Sequence, residues 1–173
     1  MKMRVLRAFI LALWLAFGTS AAAQTVFYIH KPLAPEGCVV EYNVTEQRDT
    51  FYIVSTVSSD RLTFLSNPTM KIRTFGGKYL ELEGTLVGNV SKTKNVVANN
   101  EVSQQTVIRQ ETEIESTAKF RVTAEEFESI REGVAKVRLS MTPMNHDRTF
   151  KRDRIGQRLY ELYMEEKRKS DDF

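Results

Sequence analysis

One cysteine, two histidines and four prolines stand in a chain of 173 residues, and each scarcity removes a class of protein. Cys38 has no second cysteine to pair with inside the chain, so the fold is not a disulfide scaffold. His30 and His146 lie far apart, and neither an H-x-x-x-H pair nor a C-x-x-C occurs, so no zinc centre of local spacing is expected. There is no D-x-D-x-D-G calcium loop and no G-x-S-x-G strand-turn-helix nucleophile. Gly76-Gly77 belongs to a hairpin and opens no helix, which excludes a phosphate-cradling glycine loop. The residues therefore point to no metal, no cofactor and no catalytic constellation. Long apolar runs are missing too: the longest, 8–17, falls short of the ~20 residues that a membrane helix requires.

What that run does carry is an address. Lys2, Arg4 and Arg7 precede it and Ala21-Ala22-Ala23 follows, the pattern of a cleaved signal peptide over 1–23. The expectation is a mature protein starting at Gln24, soluble and exported to a periplasmic or extracellular space. That segment holds three of the 25 Lys and Arg and none of the 22 Asp and Glu, so the formal charge of +3 falls to zero without it. The overall basicity belongs to the leader, and a nucleic-acid partner is not expected. Residues 24–173 match one domain, long enough to bury ~70% of its unfolded surface. Cys38 lies well past Ala23, so it is no lipid anchor. In Cys38-Val39-Val40-Glu41-Tyr42 the period of two places Cys38, Val40 and Tyr42 on one face, where a free cysteine acts as a small buried hydrophobe.

Short runs of Val, Ile, Thr, Phe and Tyr predict strands near 26–30, 38–44, 51–57, 62–65, 70–75, 79–87, 107–122 and 135–141. Pro35-Glu36-Gly37, Ser58-Ser59-Asp60, Asn67-Pro68 and Gly76-Gly77 separate them with turn chemistry, and such close spacing favours an antiparallel meander. If Gly76-Gly77-Lys78 is a three-residue loop, Phe75 faces Tyr79, Arg73 faces Glu81, Lys71 faces Glu83 and Ile72 faces Leu82. Each pair is then aromatic, oppositely charged or apolar. With Asn99-Asn100-Glu101 as the next loop, Leu86 faces Ile114, Leu82 faces Ala118, Leu80 faces Phe120 and Glu81 faces Lys119. Two strands of about twenty residues would span ~65 Å, more than the domain is wide, so the ribbon must bend, twist away or fray.

The distal part of that ribbon, 88–105, is the least hydrophobic sizeable stretch of the chain, with Lys92, Lys94, Asn95, Asn99, Asn100 and Glu101 among its polar residues. The plainer reading is a tolerated hairpin tip. The functional reading is an arm through which these six residues touch a protein or polymer partner.

Helical signals come late. Thr123-Ala124-Glu125-Glu126 is a capping box flanked by Val122 and Phe127 as a hydrophobic staple, and Gly133 suits the end of a short helix. Ala135, Val137 and Leu139 then alternate inward against Lys136, Arg138 and Ser140 outward. Over 149–169 the period becomes helical, with Ile155, Leu159, Leu162 and Tyr163 on one arc. Arg148, Lys151, Arg152, Arg154 and Arg158 would make its start basic, against the helix dipole. A salt-bridge network with Glu111, Glu113 and Glu115, alternating along the ribbon, would answer both charge groups.

Together these elements predict an α+β fold: a mostly antiparallel twisted sheet, half-barrel or sandwich, with one short helix and a C-terminal amphipathic helix. The function expected is a binding or interaction module acting through the arm or a sheet edge. Two other classes stay open. One is a carrier holding a small apolar ligand between sheet and helix, and the other is a small hydrolase-like enzyme around His146-Asp147.

Overall fold

The computed structural model describes residues 26–30, 38–100 and 105–171, with side chains at 38–93 and 110–170. Among these residues, ten strands and two helices run in the order β1 (Val26–His30), β2 (Cys38–Gln47), β3 (Thr50–Ser59), β4 (Thr63–Phe64), β5 (Thr69–Thr74), β6 (Tyr79–Asn100), β7 (Gln105–Val122), α1 (Ala124–Arg131), β8 (Val134–Leu139), β9 (Met141–Thr142), β10 (His146–Thr149) and α2 (Gly156–Asp171). Eight strands form one antiparallel sheet in the order β1-β2-β3-β7-β6-β5-β8-β10, and β4 pairs with β9. The fold is α+β, with the large sheet curled into a half-barrel. The curl is visible in one contact: Cys38 on β2 lies 3.5 Å from His146 on β10, although five strands separate them in the sheet order.

Alternation explains which face is concave. Val40, Tyr42 and Val44 on β2, Met70 and Ile72 on β5, and Val137 and Leu139 on β8 are buried, while the residues between them turn outward. Cys38, Val40 and Tyr42 share the buried face, as their spacing predicts. α1 opens on the expected capping box: Thr123 Oγ1 accepts from the Glu126 amide and Glu126 accepts from the Thr123 amide. It ends before Gly133, whose φ of 93° is the left-handed conformation that favours glycine. Ile155, the residue before α2, and Leu159, Leu162 and Tyr163 on it pack onto the core, and all four are buried. Tyr163 stacks on Phe127 of α1 at 4.3 Å and meets Phe51 of β3 edge-on at 4.9 Å.

Three local expectations are corrected. The β5–β6 connection is longer than three residues: Thr74 donates to the Lys78 carbonyl, and Arg73 rather than Phe75 opposes Tyr79. Lys71 thus pairs with Glu81, at 2.8 Å, instead of Glu83. The slip is two residues, so every side chain keeps its expected face. On the β6–β7 ribbon, Leu86 opposes Ala118 instead of Ile114, and a register shift between Leu86 and Gly88 absorbs one residue. The turn falls beyond Asn100, because Asn99 and Asn100 are paired strand residues opposite Thr106 and Gln105. Finally, the C-terminal helix begins at Gly156, well after 149. His146–Thr149 is a strand on β8, and Asp153 supplies the cap, so Arg148, Lys151, Arg152 and Arg154 precede the helix and do not oppose its dipole.

Candidate functional site

Three places on this scaffold carry polar chemistry. The first is the projecting ribbon. β3 leaves β7 at Ser59↔Ile114, and β5 leaves β6 at Thr69↔Glu83. From Lys92↔Glu113 to Asn100↔Gln105 the two strands pair only with each other among the described residues. These nine pairs extend ~30 Å at ~3.3 Å per residue. At the root, Ser116 Oγ accepts from the Phe64 amide at 2.9 Å and donates to Asn89 Oδ1 at 2.6 Å, tying β4 to the ribbon.

The predicted partner-binding residues are placed along this arm. Lys92 lies on β6 and forms an ion pair with Glu115 across the ribbon, which raises the lysine above its ordinary pKa. Glu115 of the acidic row thus finds its cation on the neighbouring strand. Lys94, Asn95, Asn99 and Asn100 follow on the β6 backbone, in register with Glu111, Gln110, Thr106 and Gln105. Glu101 lies outside the described residues.

The second place is the buried contact of Cys38 Sγ with His146 Nδ1. Burial pushes the thiol up to about 11, so it stays neutral and is a poor nucleophile at neutral pH. Consecutive strand residues point to opposite faces, so His146 is buried and Asp147 is not. Asp147 turns outward, where Arg138 donates to both its carboxylate oxygens at 2.7 and 2.9 Å and holds it below the usual carboxylate range. His146 thus meets Cys38 on the buried face while Asp147 meets Arg138 outside. Among the described residues, no group of three or more His, Cys, Asp and Glu is placed to hold a metal ion.

The third place escaped the sequence reading. On the outer face of β5 and β8, Lys71 opposes Arg138 and Arg73 opposes Lys136, two like-charged cross-strand pairs side by side. The first pair is flanked by Glu81 and Asp147, which ion-pair with it. The second has Tyr79 on one side and Thr149 on the other. Lys136 reaches Asp147 diagonally at 3.9 Å, and Arg73 has no ion-pair partner among the described residues. Beside Arg73 opens a cleft of about 420 Å³, also lined by Thr74, Phe75, Gly77, Ala135, Thr149 and Phe150. The sequence hides these pairs because His146-Asp147 reads as loop before a helix and nothing local gives β8 a neighbour.

Between sheet and α2, Tyr163 packs against Phe51 and Phe127. No described helix is long and apolar enough to cross a membrane. The chain matches no protein-family model, no curated protein and no solved structure.

Proposed function

We propose that this chain is an exported, non-enzymatic binding module that engages a protein or polymer partner through the β6–β7 ribbon. The observation that supports this reading is the ribbon's run of nine pairs without a third strand. A lone two-stranded hairpin is marginally stable in water, and its outer edges carry backbone donors and acceptors that a partner can satisfy. Export rests on the leader-like segment 1–23.

The observed register defines the clean excision. Ser91 and Ile114 are directly opposed, so replacing 92–113 with Asn-Gly makes a two-residue hairpin turn. The variant should stay folded, because the cut lies beyond the Asn89–Ser116 anchor and removes only an exposed, solvent-screened ion pair. Loop shortening itself changes closure entropy by only about 0.6 kcal/mol per doubling. Native mass spectrometry on material captured from the exported fraction should show a partner retained by the intact protein and lost from the excised one. A folded variant that retains the same partner returns the arm to a tolerated hairpin, and unfolding makes the ribbon structural.

A further inference from the structure

We propose that the cleft at the end of β5, β8 and β10 binds a small aryl carboxylate, with its charge on the Arg73–Lys136 row and its ring between Phe75 and Phe150. The argument starts from the sheet. Like charges placed directly opposite on neighbouring strands repel, and the structure holds two such pairs on the same two strands. Glu81 and Asp147 compensate Lys71 and Arg138 from the outer strands. In the next row the matching positions are Tyr79 and Thr149, so Lys136 has only the distant end of Asp147 and Arg73 has no ion-pair partner among the described residues. An anion seated at this row supplies the missing charge.

The cleft says what else the anion carries. Its volume of about 420 Å³ lies in the range of small-molecule sites, which combine apolar walls with a few placed polar groups. Arg73 and Thr149 provide donors for a carboxylate, and Arg presents a planar fork that binds one in two places. Phe75 and Phe150 provide the walls and offer no partner for hydroxyl groups, which favours an aromatic ring over a sugar. Phe75 is held at the rim although it is 46% exposed: its amide donates to the Gly133 carbonyl at 2.9 Å. Tyr79 beside Arg73 is 66% exposed, so aromatic surface continues outside the mouth.

The test uses the folded protein, amide-resolved NMR and three probes: phenylacetate, acetate and the uncharged benzyl alcohol. Phenylacetate should move the resonances of Arg73, Phe75, Ala135 and Thr149 with saturation, and more weakly as salt is added. Acetate and benzyl alcohol should each bind at least tenfold more weakly, since each lacks one half of the recognition. Arg73→Gln should weaken phenylacetate at least tenfold while leaving benzyl alcohol unchanged, and Phe75→Ala should weaken both ring probes. Acetate equal to phenylacetate would reduce the site to surface charge and overturn the proposal. So would phenylacetate binding unchanged in Arg73→Gln, or shifts that cluster elsewhere in the wild-type protein.

Discussion

Asp153 shows how much one side chain can organise. Its Oδ1 accepts from the amides of Val134, Gly156 and Ile155 at 2.9, 2.9 and 3.4 Å, and its Oδ2 accepts from Gln157 at 2.9 Å. One carboxylate therefore caps α2 and also fastens the first amide of β8. Burial pushes this carboxyl up, yet the four N–H groups outweigh it and hold it below its ordinary value. A depressed folded pKa means that its stabilisation is present above the unfolded pKa of ~3.9 and lost as pH falls through the folded one. Asp153→Ala should lower stability in urea by about 1–3 kcal/mol, since Val134 is fully buried and its amide would be left unpaired. Asp153→Asn should lose less, and an unchanged midpoint in the alanine variant would refute the role. Cys38 works in the opposite sense. Its thiol is raised from 9.0 to about 11 by burial, so its contribution is complete below the unfolded pKa and fades as pH climbs from about 9 to about 11. Folded protein at pH 8 should resist thiol reagents that react at once with the chain in denaturant, and equal rates would place Cys38 at the surface.

At the scale of the element, α2 separates local from non-local information. The arc of Ile155, Leu159, Leu162 and Tyr163 was legible because a helix packed on a core needs that spacing. Leu159 is 1% exposed, whereas Tyr160 is partly exposed, bonded to Glu128 at 2.6 Å and set beside Arg131. Leu159→Ala should thus cost ~2–5 kcal/mol, and Tyr160→Ala clearly less. Equal urea midpoints would mean that the helix is phased wrongly. The start of the same helix was not legible from its period. Its polar first residues leave 149–155 without contradiction as helix, and only the pairing of β10 with β8 and the carboxylate of Asp153 draw the boundary. The one local sign was an Asp two places before Ile155, the residue type that caps helices. Hairpins followed the same division. Parity survived at β5–β6 and over the root of β6–β7, because one face must be apolar. Register slipped by two and by four residues, because loop length is set by backbone bonds such as Thr74 to Lys78 and by the shift near Leu86, which side-chain pairing does not reveal.

For the whole molecule, charge is the property that sequence and structure divide between them. Loss of 1–23 would leave no net charge, and intact mass of the exported product should show a start at Gln24 without acyl chains. Any other start, or a mass excess of a lipid, would remove the export reading. A balanced total would still leave room for local excess, as Arg73 beside Lys136 demonstrates: it has no ion-pair partner among the described residues. The amino-acid sequence by itself determined the α+β class, the antiparallel sheet, the capped short helix and the inward faces of the strands, because propensity, capping and alternation act within a few residues. Only the tertiary structure decided which strands are neighbours. It brought Cys38 to His146 across a curled sheet, turned Asp147 away from that histidine, and set Arg73 against Lys136 beside a cleft. The contacts of Cys38 with His146 and of Arg73 with Lys136 join strands distant in the chain, and curvature and strand order arise from packing the whole sheet around one core, which no local pattern encodes.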